Sequence, residues 1–406
     1  MGQGGDLPLS HLRVVDFTAT MAGAYATMWL GVMGAEVIKV ESRLQPDTTR
    51  RLRRTPSGDV EQSLDPRRAY FDALNQSKLG VTLNLRDPRG LDLARSLIAI
   101  SDVLVEGFST GVMERFGLGY EQVKALQPNI LYASVSGYGR SGPLASYIAY
   151  GPTIAGYSGL DHLTGYRHGA IGTVIGGFDA VPALFAAFGL LAALQRGEQG
   201  PLALDLSMAD AHLWTSAEAL IEYGLRGTVR GPTGNRHPRH LQGVYRCQGS
   251  DRWVAVTVET DQQWSALCQV IDAVALASDA AMATPEGRLR QQDRIDAAIE
   301  AWTRRRTPEE AAESLQRAGI AAGPVLSPAQ AIEDAHLWQR GMFQKQEVAG
   351  MGQAVLPRLA IRMDGQPSGR YTRAPGLGEQ NGVVFKELLG LDEAAYRKLV
   401  QGRVIF

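Results

Sequence analysis

The sequence predicts an α/β protein whose larger domain is Rossmann-like, with an open parallel sheet built from both chain ends. Strand and helix patterns alternate from residue 12 to residue 139, which is typical of parallel strands connected by helices. After about residue 230, hairpin signals and amphipathic helices replace this alternation. We therefore expect a larger domain formed by 1–215 and 336–406, and a smaller α+β domain with its linker at 216–335.

The first half of the chain contains the elements of the parallel sheet. LRVVDF (12–17) and AEVIKVE (35–41) predict buried strands, and MAGAYATMWLGVMG (21–34) predicts a helix between them. The alternation continues with a strand, a helix, a strand, a helix and a strand at 80–85, 87–100, 102–108, 119–129 and 130–139. The segment 43–68 carries seven arginines and is either a solvated loop or a phosphate-binding flap.

The second half begins with a helix pattern from Ala180 to Leu194 that is apolar all round, which predicts an internal helix. A strand that opens a helix follows at 202–211. The smaller domain then has an antiparallel hairpin within 231–259 and three amphipathic helices. We expect a strand at 357–363 and a final helix at 382–400.

Composition excludes several classes of function. The chain has 41 Lys and Arg against 42 Asp and Glu, a net charge of −1, so no overall field would attract nucleic acid or a membrane surface. Two cysteines are too few for a disulfide framework or a metal cage. The start of the chain lacks the pattern of a signal peptide. We expect a cytoplasmic protein with neither a metal nor a membrane partner.

Common catalytic motifs are missing from the sequence. The turn after the first strand reads TATMAGAYATMWLG, without the G-x-G-x-x-G that lets a backbone approach a pyrophosphate, so a nicotinamide enzyme is disfavoured. There is no G-x-S-x-G elbow, no P-loop and no H-E-x-x-H.

One carboxylate, Asp179, stands directly before the apolar helix at 180–194. Asp followed by Ala-Val-Pro is a favourable N-cap, because Pro182 is tolerated in the first turn. A helix N-terminus also stabilises an anion, so the same residue can act as a nucleophile. The two interpretations are compatible.

Segments along the chain resemble CoA-transferase family III, the family of formyl-CoA and carnitine CoA-transferases. The resemblance runs from about Leu12 to Ile405 and rests on the order and spacing of many pieces, among them LRVVDFTATMAGAYATMWLGVMGAEVIKVE, LNQSKLGVTLNLRDPRG, SDVLVEGFSTGVMERFGLGY, ASVSGYGRSGP, GNRHP, AGIAAGPV and APGLGEQN. It implies a CoA-transferase that moves CoA from an acyl-CoA donor to a carboxylic acid acceptor. Members of this family form interlocked dimers, so the resemblance implies a homodimer, or a heteromer with a paralogous subunit.

The family's catalytic Asp precedes a GLLAAL-like segment by ten residues, and Asp179 stands ten residues before Gly189. The resemblance therefore implies that Asp179 forms a mixed anhydride and then an aspartyl-CoA thioester. CoA is a substrate in this scheme, and no permanently bound cofactor is expected.

The resemblance also implies which residues contact CoA. Some of the family's motifs around these positions are altered in this sequence. The matching positions are Thr20, Met21, Ala22, Arg43, Asn75, Lys78, Phe108, Val112 and Arg115, with Lys78 and Arg115 facing phosphates. The family's A-G-P is here Ala22-Gly23-Ala24, and its E-N-F-R-P-G is here EGFSTG (106–111). Its G-D-x-x-R is reduced to PDTTR (46–50), and HPRHLQG (237–243) replaces a glycine-rich lid.

Two alternatives to a self-sufficient transferase stay open. One is a non-catalytic subunit paired with an active paralogue. The other is an acyl-CoA racemase or epimerase, which needs a second acid or base such as His162 or His168. Residues 144–170 are rich in Tyr and small side chains and are expected to border the acyl pocket, with Tyr147, Tyr150 and Tyr157 among them. They suggest a medium-sized or partly apolar acid.

Overall fold

The computed structural model describes residues 7–50, 53–54, 60–61, 69–167, 169, 172, 177, 179–196, 200–348 and 352–406, with side chains unassigned at 53–54 and 60–61. Within the described residues the chain forms two compact units. The larger comprises Met1–Leu160, Val174–Ile221 and Ala335–Phe406, and the smaller comprises Asp161–Thr173 and Glu222–Asp334.

The strands, in chain order, are β1 (Arg13–Phe17), β2 (Glu36–Glu41), β3 (Arg53–Arg54), β4 (Val60–Glu61), β5 (Lys78–Thr82), β6 (Val103–Glu106), β7 (Leu131–Ser136), β8 (Leu202–Ser207), β9 (Leu241–Arg246), β10 (Trp253–Val258), β11 (Ala321–Pro324), β12 (Phe343–Val348), β13 (Gly352–Pro357), β14 (Arg362–Met363) and β15 (Gln366–Pro367).

The helices, in chain order, are α1 (Ala22–Val32), α2 (Ala69–Leu74), α3 (Pro88–Ala99), α4 (Val112–Arg115), α5 (Tyr120–Leu126), α6 (Gly151–Tyr157), α7 (Leu160–Leu163), α8 (Ala180–Leu194), α9 (Met208–Leu213), α10 (Ala217–Arg226), α11 (Asp261–Val270), α12 (Val274–Ala277), α13 (Pro285–Arg290), α14 (Gln292–Thr303), α15 (Pro308–Arg317), α16 (Pro328–Glu333), α17 (Ala335–Gln339) and α18 (Glu393–Gln401). A π-helical turn, Val383–Leu388, precedes α18.

The larger unit contains a six-stranded parallel sheet in the order β5-β2-β1-β6-β7-β8, which confirms the α/β prediction. Successive residues of its central strand enter different cores, because side chains of a strand alternate between the two faces. Val14 packs with α1 and α8 on one face. Val15 packs with α3 and the C-terminal segment on the other. Burial on both faces explains why these strands read as continuous apolar runs.

The C-terminal segment docks on this sheet without adding a strand to it. All six strands of this sheet lie within residues 13–207. The expectation that both chain ends supply strands of the sheet is therefore wrong, and the C-terminal segment contributes only to the layer that covers the sheet. The amide side chains of Gln380 and Asn381 accept hydrogen bonds from the backbone N–H groups of Gly80 and Thr82 at 2.8 and 2.9 Å. These contacts satisfy the exposed edge of β5, which would otherwise offer unpaired backbone groups.

Three other predictions about elements need correction. Helix α8 is not buried on every side, because Leu184, Phe188 and Leu191 are 48%, 71% and 42% exposed. The strand expected at 357–363 is reduced to the two residues of β14, and the tail instead forms an antiparallel hairpin, β12–β13, before it. The expected final helix is interrupted after the π-helical turn, where Gly390 takes a φ of 75° and Asp392 caps α18.

The smaller unit is a three-stranded antiparallel sheet, β11-β10-β9, covered by helices. Its core includes Val254 and Val256 of β10, Leu267 of α11, Ile299 of α14 and Leu315 of α15. The hairpin predicted within 231–259 is therefore confirmed as β9–β10. Across the described part of the chain, every helix is too short or too polar to cross a bilayer.

Candidate active site

Asp179 lies at the N-cap position of α8, but its side chain does not cap the helix. Its backbone is helical (φ −101°, ψ −18°), whereas a capping side chain normally needs an extended residue. Its Oδ1 atom is buried and finds no hydrogen-bond partner among the described residues. The N-cap interpretation of the side chain is therefore wrong, and the carboxylate is left available for a ligand.

The surroundings of Asp179 shift the pKa of its carboxyl group. Burial raises its pKa above the ordinary value, and the nearby His212 opposes this by lowering it. The helix N-terminus does not by itself hold the pKa down, contrary to the sequence-based expectation. The charge of Asp179 in turn adds to burial in raising the pKa of Tyr70. A desolvated carboxylate with few partners is a more reactive nucleophile than a solvated one.

Small residues on α1 explain how α8 is positioned. Ala22 and Ala26 of α1 share one buried cluster with Ala186, Ala187 and Leu190 of α8. Alanines at the contact let two helices approach closely. The small residues of α1 thus form a packing surface for α8. This surface fixes the helix that begins at Asp179.

A cavity of about 520 Å³ in the larger unit contains Asp179. Its lining comes from the turn after β1, the segments after β6 and β7, and the first residue of α9. The carboxyl ends of parallel strands meet at this edge, which is where open α/β sheets bind ligands. The predicted site residues on the lining are Thr20, Ala22, Phe108, Tyr147, Tyr150 and Asp179.

A second cavity, of about 300 Å³, adjoins the first. Ala19 and Phe108 line both, so the two cavities are neighbours. Val112 of the predicted set lines the second cavity, together with Arg86, which the sequence analysis did not single out. Arg86 directly follows the segment 80–85, which the sequence predicts as a strand. A positive side chain directly after a strand of the parallel sheet was the sequence feature that could have identified it as a site residue.

Five of the predicted CoA contacts line neither cavity. Met21 accepts a hydrogen bond from the Tyr70 hydroxyl on Sδ at 2.6 Å, beside the cavity. Arg115 is exposed at the end of α4, and Arg43 is half-buried; neither lines the two cavities. Of the flap at 43–68, residues 51–52, 55–59 and 62–68 lie outside the described residues.

Lys78 and Asn75 are buried inside the larger unit and line neither cavity. The Lys78 Nζ atom donates to Asp16 Oδ2, the Ala24 carbonyl, Thr27 Oγ1 and Asn75 Oδ1 at 2.7–2.9 Å. Burial lowers the pKa of Lys78 to about 8, against the opposing attraction of Asp16. In this structure the ammonium group is fully committed to internal partners.

A second buried pair holds the turn that precedes α1. Lys39 donates to the Thr18 carbonyl at 2.8 Å and pairs with Asp47 at 3.2 Å. Burial disfavours its charge, but Asp47 and Asp16 hold the pKa of Lys39 above its ordinary value. Asp47 also accepts from the Thr20 N–H at 3.2 Å. Thr20 has a φ of 62°, a strained state for a β-branched residue that these contacts maintain at the cavity.

Residues at the end of β7, directly after it and at the start of α9 complete the site and were missed from sequence. Ser136, Tyr138 and Met208 line the cavity with Asp179, and the buried Oγ of Ser136 has no hydrogen-bond partner among the described residues. Glu106 accepts from the Phe108 N–H at 2.8 Å and pairs with Arg140 at 3.2 Å. The Glu-x-Phe spacing fixes Phe108, which lines both cavities.

The positions of the histidines bear on the racemase or epimerase alternative. His162 belongs to the smaller unit, and His168 lies outside the described residues. No histidine is found among the described residues that line the cavity of Asp179. No group of three or more potential metal ligands occurs within the described portion of the chain.

Comparisons with known proteins agree with this geometry. The model of CoA-transferase family III matches residues 9–381. The chain is 30% identical to succinyl-CoA–D-citramalate CoA-transferase of Chloroflexus aurantiacus over 98% of both chains. It is 31% identical to the alpha subunit of succinyl-CoA–L-malate CoA-transferase of the same organism, over 98% of this chain and 93% of that one. A crystal structure of a CAIB/BAIF family protein from Brucella suis superposes with a TM-score of 0.82 at 27% identity, covering 95% of this chain and 100% of that one.

Proposed function

This chain belongs to CoA-transferase family III, and we propose that it transfers CoA between two carboxylic acids through covalent intermediates on Asp179. The observation that carries the proposal is the buried Oδ1 of Asp179, which has no hydrogen-bond partner among the described residues, in a cavity at the carboxyl edge of the sheet. A structural aspartate would have its buried oxygen satisfied. A nucleophile must keep it available.

The chemistry follows in four steps. A carboxylate oxygen of Asp179 attacks the donor thioester carbonyl, the C–S bond breaks, and CoA leaves as the thiolate. The thiolate attacks the aspartyl carbonyl of the mixed anhydride and releases the donor acid. The acceptor carboxylate attacks the aspartyl-CoA thioester and expels the thiolate again. The thiolate then attacks the acceptor acyl carbonyl, giving the new acyl-CoA and regenerating Asp179.

The surroundings of Asp179 suit this sequence of steps. Water would hydrolyse either intermediate, so exclusion of water by the packed helices conserves the thioester's free energy. The unpartnered Ser136 hydroxyl lines the same cavity and is a donor for the oxygen on which charge develops at each attack. Burial of Asp179 raises its pKa, which also raises its nucleophilicity once ionised.

We propose that CoA lies along the two neighbouring cavities. Thr20, Ala22 and Phe108 would border the end of CoA that carries the thiol, near Asp179. Phe108, Val112 and Arg86 would border the rest, with Arg86 supplying the positive charge that Lys78 cannot. Arg43 and Arg115 stay candidate phosphate contacts outside the two cavities, and Met21 positions Tyr70 beside the site.

Trapping during turnover tests the proposal. With an acyl-CoA donor present, borohydride should reduce the activated Asp179 to an alcohol, and hydroxylamine should convert it to a hydroxamate. Peptide mass spectrometry locates either product. Samples without donor, treated in the same way, should carry neither. If donor-dependent products fall on another residue, or if none forms while CoA is exchanged, Asp179 is not the nucleophile.

We also propose that the protein works as a dimer, as the family resemblance implies. Leu184, Phe188 and Leu191 follow the i, i+4, i+7 spacing of one helix face and are exposed in the single chain. A second copy that covers this face would bury them. The named alpha subunit among the relatives supports the alternative, a heteromer with a paralogue.

Sedimentation measurements decide between these assemblies. The protein expressed alone should sediment as a dimer with CoA-exchange activity, and Phe188→Glu should shift it toward monomer. Leu126→Glu, which changes an exposed leucine on α5, is the matched control and should leave the dimer intact. A monomeric, inactive parent protein would contradict the homodimer and favour the heteromer.

A further inference from the structure

The turn at residues 18–20, which connects β1 to α1, borders both cavities of the larger unit. Thr18 lines the second cavity, Thr20 lines the cavity of Asp179, and Ala19 lines both. The backbone of this turn therefore shapes the wall where the two cavities are neighbours. A shift of the turn would displace that wall relative to Asp179.

Three buried charged side chains hold the backbone of this turn. Asp16 Oδ1 accepts a hydrogen bond from the Thr18 N–H at 2.9 Å, and Lys39 Nζ donates to the Thr18 carbonyl at 2.8 Å. Asp47 Oδ2 accepts from the Thr20 N–H at 3.2 Å. Asp16 lies on β1, Lys39 on β2 and Asp47 after β2, and all three side chains are shielded from solvent.

Thr20 is the strained member of the turn. Its φ of 62° lies in the left-handed region, which a β-branched residue adopts only when the surrounding structure enforces it. Thr20 Oγ1 donates to the Ala19 carbonyl at 2.6 Å, which is a contact within the turn. The hydrogen bond from the Thr20 N–H to Asp47 reaches a segment 27 residues later, so it ties the strained residue to the rest of the fold.

Asp47 is held firmly by its own partners. Its Oδ1 atom accepts from the N–H and Oγ1 of Thr49 at 2.9 and 2.6 Å, and its Oδ2 atom pairs with Lys39 at 3.2 Å. Burial disfavours the charge, but Lys39 and Thr49 hold the pKa of Asp47 below its ordinary value. Asp47 borders the second cavity, but its side chain has no exposed surface. Its carboxylate therefore acts on a ligand through the turn.

The segment that carries Asp47 is anchored to other parts of the larger unit. The Asp47 N–H donates to Glu41 Oε1 at 3.3 Å, and Glu41 accepts from Arg50 Nε at 2.9 and 3.1 Å. Arg50 Nη1 donates to the Pro375 carbonyl at 3.0 Å, and its guanidinium lies 3.7 Å from the centre of the Phe71 ring. The position of Asp47 is thus fixed by the end of β2 and by the C-terminal segment.

We propose that Asp47 is a positioning residue for CoA transfer, which acts by holding Thr20 in the left-handed conformation at the cavity of Asp179. This inference rests on the proposed transfer of CoA at Asp179. Without Asp47, Thr20 relaxes to an unstrained conformation, and the turn no longer presents the same wall to the thiol end of CoA. A misplacement of about 1 Å near reacting groups slows a reaction by roughly 100-fold.

Replacing Asp47 by Ala tests the proposal at a temperature where the variant is folded. The donor-dependent rate of hydroxamate formation at Asp179, measured with succinyl-CoA and with acetyl-CoA, should fall by about 10–100-fold. The dissociation constant of CoA, measured by calorimetry, should rise by less than about 5-fold, because most of the cavity walls remain. A labelling rate equal to that of the parent protein would overturn the inference.

A variant that is destabilised elsewhere distinguishes positioning from a loss of stability. Ile299→Ala removes a buried side chain from the core of the smaller unit, so it should lower the Tm. The labelling rate of this variant should stay within about 2-fold of the parent rate, because the turn is untouched. If Ile299→Ala slows labelling as much as Asp47→Ala does at a comparable loss of Tm, Asp47 has only a structural role and the inference is wrong.

A double-mutant cycle with Thr20→Gly tests the route through Thr20. Glycine adopts a positive φ without strain, so the turn then depends less on Asp47. Asp47→Ala should therefore slow labelling less in the Thr20→Gly background than in the parent, by a factor of about 5 or more. Its effect on the Tm should persist, because Lys39 loses its ion-pair partner in both backgrounds. Equal slowing in the two backgrounds would show that Asp47 does not act through Thr20.

A second variant covers the case in which Asp47→Ala does not fold. Lys39→Met combined with Asp47→Ala removes both charges of the pair, so no buried charge is left behind. Its labelling rate should also fall by about 10–100-fold, because the contacts with the turn are lost. A parent protein that neither succinyl-CoA nor acetyl-CoA labels at Asp179 contradicts the proposed function. A labelled parent with equally fast Asp47 variants contradicts only the positioning role.

Discussion

Replacing Asp179 by Asn should abolish CoA transfer and make the folded protein more stable. The amide keeps the shape of the side chain but cannot attack a thioester, so the rate should fall by a factor on the order of 10⁴–10⁶. CoA binding, measured by calorimetry, should persist because the cavities remain. The stability gain follows from removing a buried charge that has no hydrogen-bond partner on Oδ1 among the described residues, worth on the order of 1 kcal/mol or a Tm increase of about 1–2 °C.

The pH dependence of this gain provides a further check. The folded protein holds the pKa of Asp179 above 3.8, so between the unfolded and folded values the folded state binds more protons. Stability of the parent protein therefore falls as the pH rises through that interval. The advantage of Asp179→Asn should be complete above the raised pKa and should disappear as the pH falls below it.

A matched variant separates this effect from a general effect of Asn. Asp92 is 70% exposed on α3 and pairs only with Arg95 across one turn. Asp92→Asn should change neither the transfer rate nor, beyond about 0.5 kcal/mol, the stability. If Asp179→Asn still transfers CoA at a rate near that of the parent, the nucleophile is another group.

Replacing Lys78 by Met should destabilise the fold severely, although the sequence resemblance assigns Lys78 to phosphate binding. The three N–H groups of the ammonium are shared among four internal acceptors, and the ammonium supplies the charge opposite Asp16. Removing one partner of a buried ion pair leaves an uncompensated charge, which costs roughly 3–5 kcal/mol. Thermal unfolding should show a Tm lower by about 4–8 °C.

A double variant identifies the cause of that loss. Asp16→Asn with Lys78→Met removes both charges, so it should recover much of the stability lost in Lys78→Met alone. Arg89→Met, which breaks an exposed pair with Asp87, is the control and should cost no more than about 1 kcal/mol. A Lys78→Met variant of unchanged Tm and raised KM for CoA would instead support a phosphate contact.

Lys78 also illustrates where sequence-based inference of the site fails. Its position in LNQSK matches the family's pattern, but a motif does not state whether an ammonium group points toward solvent or inward. Here Asp16, Thr27 and Asn75 converge on it from three separate elements. Ser136 and His212 were missed for the related reason that an isolated Ser or His carries no pattern of its own.

For helix α8, the sequence predicted the bounds of the element but not its environment. Its bounds, Ala180–Leu194, agree with the sequence prediction because the run of apolar helix formers ends at Gln195. Its environment does not, because Phe188 is exposed while Ala187 is buried. A run that is apolar on every side cannot reveal which face packs on α1.

The sequence by itself determined the parallel α/β architecture and the family, since the alternation of apolar strand runs with helix patterns and the spacing of many motifs are local properties of the chain. It also singled out Asp179 by its isolation before an apolar helix. Only the tertiary structure decided which polar groups are satisfied inside the protein and which face the cavity. Those outcomes depend on side chains from distant segments, because a charge in the interior is retained only where partners surround it.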